Sequence, residues 1–101
     1  MKVYISGKIS GLSKEEYMKN FAEAEELLSQ HHSVINPAKT NGTLPSDTTY
    51  EEYMDISMKL LSFCDAIFML RNWKDSIGAN AEHAYAKAHG YMIVYQEDKT
   101  G

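Results

Sequence analysis

The residue best suited to chemistry is Glu82, which lies early in an alanine-rich segment that follows the apolar run 65–70. This order predicts a buried strand, a polar loop and a helix. In α/β proteins such a loop lies outside the carboxyl end of the sheet, where ligands bind. Ser76 and Gly78 place a hydroxyl and exposed amides in the loop, and Trp73 offers a flat ring for a base. From this context alone two interpretations stay open for Glu82, a ligand-facing acid and a solvated acid stabilised by the helix dipole.

A second candidate is the turn Gly7-Lys8-Ile9-Ser10-Gly11, between a predicted strand and a predicted helix. Its backbone N–H groups, the charge of Lys8 and the helix N-terminus together suit a phosphate group. The turn is not a Walker loop, and it lacks the third glycine of the dinucleotide fingerprint. A plain tight turn is the alternative interpretation.

Alternating strand and helix patterns predict the fold that positions these groups. Strands are predicted at 2–6, 33–36, 65–70 and 91–95, and helices at 13–30, 50–64 and 78–89. Right-handed crossovers favour a parallel sheet of four to five strands in the order 2-1-3-4 with helices on both faces. The predicted architecture is a three-layer α/β sandwich. Residues 38–49 are predicted to be a long loop that suits a lid.

Composition and length exclude several classes of function. The length of 101 residues predicts one domain over 1–96 with a polar tail at 97–101. The formal charge of −4 argues against a nucleic acid polymer as partner. No apolar run is long enough for a membrane span and no signal peptide pattern is present, so a cytoplasmic location is expected. The four histidines are not spaced as metal ligands, and neither a metal nor another cofactor is predicted. The single cysteine, Cys64, is assigned to the core.

Four blocks of the sequence, taken together and in this order, resemble the DUF4406 family. They are Tyr4–Gly11, Val34–Ala38, Cys64–Ile67 and Trp73–Glu82. That family is similar to the nucleoside 2-deoxyribosyltransferases and to the 2'-deoxynucleoside 5'-monophosphate N-hydrolases. The resemblance implies a flavodoxin-like (Rossmann-like) fold and a homo-oligomer, most simply a dimer, with a shared site. It also implies a glutamate that attacks C1' of the sugar.

The resemblance also implies roles for individual residues. Glu82 matches the nucleophile, and Tyr4 matches the tyrosine of the first strand that lies beside it. The turn and the signature serine match the groups that hold a 5'-phosphate in the hydrolases, here Gly7, Lys8, Ile9, Ser10 and Ser76. The transferases carry an aspartate at the position of Ser76, so the serine favours a nucleotide over a free nucleoside as ligand.

One position departs from the related enzymes. Both groups carry an aspartate eight residues before the aspartate that opens the third strand, and counting back from Asp65 gives Ser57. Asp55 lies about 200° further around a helix and should point away from that face. Loss of an acid that assists proton transfer typically costs about 10²- to 10⁴-fold in rate. Two functions therefore stay open, an N-glycosidic hydrolase or transferase with Ser57 in its substrate site, and a nucleotide-binding module with little or no catalysis.

Overall fold

Short apolar segments rich in β-branched and aromatic residues form four strands in the computed structural model, which describes residues 1–97. The strands are β1 (Lys2–Ser6), β2 (Ser33–Ile35), β3 (Ala66–Met69) and β4 (Met92–Tyr95). The helices are α1 (Lys14–Leu28), α2 (Pro37–Asn41), α3 (Tyr50–Ser62) and α4 (Ile77–Ala88), and one 3-10 turn (Trp73–Asp75) precedes α4. Of the predicted polar tail 97–101, all but Glu97 lies outside the described residues.

The strands form one parallel sheet in the order β2-β1-β3-β4, which confirms the predicted order. Tyr4 lies opposite Ile67, and Ser6 lies opposite Met69 on the neighbouring strand. Successive side chains of a strand point to opposite faces, so Tyr4 and Ser6 share one face of β1 while Ile5 lies on the other. Two polar hydroxyl groups are thereby aligned on the same side of a central strand.

Each face of the sheet has its own apolar core, which confirms the three-layer α/β sandwich. The core on the α1 face is formed by Val3, Ile5, Phe21, Ala24, Ala38, Ala66, Phe68 and Leu70. The core on the face of α3 and α4 is formed by Tyr4, Leu61, Cys64, Ile67, Met69, Ala79 and Ala86. All four residues of β3 are buried, as expected for a strand covered on both sides.

The predicted helix starts are confirmed by their caps. Ser13 accepts a hydrogen bond from the N–H of Glu16 at the start of α1. Thr49 and Glu52 form both bonds of a capping box at the start of α3, at 2.9 and 3.1 Å. No helix within residues 1–97 is both long and apolar enough to cross a membrane.

Cys64 is buried immediately after α3 rather than within the helix, where the sequence pattern placed it. Burial raises the pKa of its thiol to about 11, so the neutral thiol is the stable form near neutral pH. A protonated, buried thiol behaves as a small apolar side chain. This position is consistent with the assignment of Cys64 to the core.

The prediction of a long loop over 38–49 is wrong for its first part, because residues Pro37–Asn41 form α2. The side-chain oxygen of Asn36 caps this helix by accepting hydrogen bonds from Ala38 and Lys39, and proline occupies the first turn. Both features favour a helix start and are readable in the sequence. The amide of Asn36 also donates to Glu25 at 3.0 Å, which ties α2 to α1.

Gly7 allows the end of β1 to approach the end of β3. A Cβ atom added at Gly7 would lie 2.4 Å from Cδ1 and 2.8 Å from Cβ of Leu70. These separations are shorter than side-chain packing tolerates, so only glycine fits without displacement of the turn or of β3. The turn that follows β1 therefore owes its position to a residue without a side chain.

We expect Gly7→Ala to destabilise the protein by about 1–3 kcal/mol, the usual cost of overpacking. Thermal unfolding followed by circular dichroism measures this loss. Gly42→Ala is the matched control, because Gly42 has helical dihedrals (φ −66°, ψ −16°) and its added Cβ meets its nearest neighbour at 3.3 Å. Equal losses in the two variants would contradict the close approach at Gly7.

Candidate active site

A cavity of about 460 Å³ lies outside the carboxyl end of β1, where the order of the sheet reverses between β1 and β3. This volume lies within the range of roughly 300–1,000 Å³ that small-molecule sites occupy. Helices α1 and α2 supply one wall through Tyr17, Phe21, Pro37 and Asn41. Helices α3 and α4, with the residues just before α4, supply most of the remaining lining.

Glu82 lies in the lining of this cavity with only 5% of its surface exposed. It is on the face of α4 that packs on the sheet, one turn after Ala79 and one turn before Ala86. The small side chains of these two alanines let α4 approach β1 closely. The Tyr4 hydroxyl donates to Oε2 of Glu82 at 2.5 Å, and the Ser6 hydroxyl donates to Oε1 at 2.6 Å.

Burial and hydrogen bonding act in opposite directions on this carboxyl group. Burial raises the pKa of Glu82 above its usual range, while the bonds from Ser6 and Tyr4 lower it. Burial, followed by the nearby Glu82 carboxylate, raises the pKa of Tyr4 well above its usual value, so the phenol stays a neutral donor. Ser57 is buried on α3, and its side chain lowers the pKa of Tyr4, which opposes the effect of burial. Asp55 is exposed, as the helical spacing predicts.

Groups suited to an anion line another part of the same cavity. Gly7, Lys8, Ile9 and Ser10 come from the turn after β1, and the N–H of Lys8 donates to Asn72 at 3.0 Å, which fixes the turn. Ser76 and Gly78 lie at the start of α4. The Ser76 side chain accepts from the N–H of Ala79 at 3.1 Å and so caps the helix. The first-turn N–H groups of a helix lack intrahelical partners and carry partial positive charge.

Trp73 does not line this cavity. Its ring lies 4.3 Å from the ring of His83 and 6.0 Å from that of Tyr95, and His83 is hydrogen-bonded to the Tyr95 hydroxyl at 2.7 Å. The 3-10 turn directs the ring toward α4 and the end of β4 instead. Trp73 therefore lies outside the cavity of its own chain, and its contact with a base stays a prediction.

The site also includes residues that were not predicted from the sequence. Ser6 donates to Glu82 without itself lining the cavity, and its spacing of two from Tyr4 on a strand places both hydroxyls on one face. Asn41 was assigned to a loop, whereas it lies in α2 with a buried side-chain oxygen that has no hydrogen-bond partner within the described part of the chain. Asp75 stands one residue before the predicted serine and adds an exposed acid to the lining.

We expect Glu82→Gln to be more stable than the natural protein at pH 7.5, with little difference at pH 4. The Glu82 pKa is higher in the folded than in the unfolded chain. The stability that this carboxyl contributes is therefore complete below its unfolded pKa and is lost as pH rises through the folded pKa. A neutral amide has no such loss. Thermal unfolding across this pH range measures the difference, at about 4–8 °C per kcal/mol for a domain of this size.

Glu52→Gln is the control for this pH dependence. Hydrogen bonds from Thr49 lower the pKa of Glu52, so its contribution to stability is present at neutral pH and is lost on acidification. The difference between variant and natural protein should therefore change with pH in the opposite sense. A Glu82→Gln variant that is uniformly less stable between pH 4 and 7.5 would contradict the raised pKa.

Comparison with known proteins agrees with this architecture. A 2-deoxyribosyltransferase from the psychrotolerant bacterium Bacillus psychrosaccharolyticus has a similar fold, with a TM-score of 0.73 over 94% of this chain and 71% of that chain. The two sequences are 18% identical, so the likeness is one of fold. No curated protein matches the sequence significantly. The profile of a domain of unknown function, DUF4406, matches residues 1–95, and the chain therefore belongs to the DUF4406 family.

Proposed function

We propose that this protein acts on the N-glycosidic bond of a deoxynucleoside 5'-monophosphate, with Glu82 as the nucleophile at C1'. The observation that carries the proposal is a buried carboxylate that accepts hydrogen bonds from Tyr4 and Ser6 and lies in the lining of a cavity of small-ligand size. The similar fold of a 2-deoxyribosyltransferase supports the proposal. In this scheme Tyr4 orients Glu82 and contacts the reacting centre.

The chemistry of the bond explains why one carboxylate is suited to the task. As the bond from C1' to the base breaks, positive charge develops on C1' and the ring oxygen, and a carboxylate against this carbon stabilises the charge. A bond from a Glu82 oxygen to C1' forms as the base leaves with the bonding electron pair and takes up a proton. Water then hydrolyses the ester to release the sugar phosphate, or a second base accepts the sugar.

The cation and the hydrogen-bond donors of the cavity favour a nucleoside monophosphate over a free nucleoside as the ligand. Lys8 contributes a charge, Ser10 and Ser76 contribute hydroxyls, and the first turn of α4 at Gly78 contributes free N–H groups. A 5'-phosphate bound here leaves the α2–α3 side of the cavity for the base. Asn41 lies on that side, and its unpartnered oxygen suits an N–H donor of a base.

A second subunit would complete the cavity in this proposal. Ile77 lines the cavity although 85% of its surface is exposed, and the exposed ring of Tyr50 lies in the same lining. Exposed apolar groups at the edge of a ligand site suit cover by another chain. A homodimer with a shared site therefore belongs to the proposal. The cytoplasmic location expected from the sequence is part of it as well.

Nucleotide binding with little catalysis is the second candidate, and Ser57 is the observation that favours it. Ser57 is buried in the cavity lining at the position where the related enzymes carry an acid. A serine can orient a sugar hydroxyl but cannot supply a proton near neutral pH. Slow turnover with tight binding is the expected behaviour of such a site.

We expect Glu82→Ala to abolish base release from a panel of deoxynucleoside 5'-monophosphates, because the variant lacks the attacking oxygen. Chromatographic separation of free bases measures the rate. Glu23→Ala is the control, since Glu23 is exposed on α1 outside this cavity. Saturable nucleotide binding without base release by the natural protein would favour the binding module. Neither binding nor release would exclude both functions.

We expect Lys8→Ala to weaken binding of a deoxynucleoside monophosphate by about tenfold, while binding of the matching nucleoside stays unchanged. The reason is the loss of one charge-assisted contact to phosphate, worth roughly 1.5–3 kcal/mol. Isothermal titration calorimetry measures both affinities. Lys74→Ala is the matched control, because Lys74 lies in the neighbouring 3-10 turn but outside the cavity lining. Equal effects on nucleotide and nucleoside would contradict a phosphate contact.

A further inference from the structure

We infer that Ser6 is a positioning residue, whose hydroxyl fixes the orientation of the Glu82 carboxylate and keeps it in the ionised form that attacks C1'. The inference rests on the proposed function for its catalytic meaning. Its structural part, the control of Glu82 by Ser6, is separately measurable. None of the roles given above to the turn, the cavity wall or Tyr4 depends on this hydroxyl.

The geometry gives each carboxylate oxygen a donor of its own. Ser6 donates to Oε1 at 2.6 Å, and Tyr4 donates to Oε2 at 2.5 Å. Both donors project from the same face of β1, two residues apart. The backbone of Ser6 is itself fixed, because its carbonyl accepts from the N–H of Leu70 at 2.8 Å. Two donors on one rigid strand restrict both the position and the rotation of the carboxylate.

The surroundings of Glu82 make these hydroxyl groups important. The ion pairs of residues 1–97 do not include Glu82, so no cation there compensates its charge directly. The titratable group in contact with Glu82 is Tyr4 on β1, and Cys64 after α3 in turn acts on Tyr4; both favour their neutral forms. The other titratable groups of the cavity lining are Lys8, Tyr17, Tyr50, Tyr53 and Asp75. Stabilisation of the buried charge therefore comes from hydrogen bonds.

The arrangement also suits the covalent step. When one oxygen of Glu82 bonds to C1', the other becomes the carbonyl oxygen of the ester. Because both oxygens have a hydroxyl partner, the carbonyl oxygen keeps a donor whichever oxygen attacks. A donor at that position stabilises the carboxylate that is regenerated when water cleaves the ester.

The test follows the Glu82 carboxyl directly by NMR in protein labelled with ¹³C at Glu Cδ, with Glu82→Gln to assign the resonance. We expect the titration midpoint of Glu82 to rise by about one pH unit in Ser6→Ala, from the loss of one hydrogen bond to a charged group. Ser6→Thr retains a hydroxyl and should restore the midpoint. Ser57→Ala is the matched control, since Ser57 is likewise a buried serine but does not donate to Glu82.

An unchanged midpoint in Ser6→Ala, or an equal rise in Ser57→Ala, overturns the inference. Should Ser6→Ala fail to fold, Ser6→Cys replaces it, because a thiol is a weaker donor of similar size and predicts a smaller rise of the same sign. In the rate assay we expect Ser6→Ala to lower kcat about tenfold with KM unchanged, and to move the acidic limb of the pH profile upward. A midpoint that shifts in a protein without base release would refute the proposed function while upholding control of Glu82 by Ser6.

Discussion

The site depends on one constraint, the placement of the Glu82 carboxylate between a helix and a central strand, where no ion pair within residues 1–97 includes it. An uncompensated buried charge costs several kcal/mol, and two hydroxyl groups of β1 offset part of that cost. The offset requires α4 to lie close to β1, which the small side chains of Ala79 and Ala86 permit. It also requires the strand to present Tyr4 and Ser6 on the same face. The geometry of the candidate site and the packing of the domain are therefore one and the same arrangement.

A site with a single acid titrates more simply than one with two. Two carboxylates in contact share a proton, and their titration belongs to the pair rather than to either residue. With Ser57 on α3, the groups nearest to Glu82 are hydroxyls that stay neutral near physiological pH. The charge of Glu82 is then set by burial and hydrogen bonding. In the proposed reaction, the proton for the departing base consequently comes from water.

The order of the strands was predictable because apolar runs, capping residues and right-handed crossovers are local or general rules. Helix α2 was missed because its loop-like composition outweighed the Asn36-Pro37 start signal. Asn36 lies in one of the sequence blocks that resemble an enzyme family, yet its contacts are structural. The side-chain amide of Asn36 connects α1 to α2. The role of Ser6 depends on a contact across 76 positions of the chain, which no local pattern reveals. The position of Trp73 outside the cavity was not predictable, because the path of a 3-10 turn decides the direction of its ring.

The contact between the rings of Trp73 and His83 has a spectroscopic consequence. Trp73 is the single tryptophan of the chain, so all of its indole emission arises from one side of α4, outside the cavity. Burial, and after it Lys87, lowers the pKa of His83, so the imidazole against the indole is neutral at physiological pH. Protonated imidazole quenches indole emission by accepting an excited electron, whereas the neutral ring does so weakly. The intrinsic fluorescence of this protein is thus a reporter of mildly acidic pH and of the α4–β4 contact, and a ligand beside Glu82 is seen instead through the tyrosines that line its cavity.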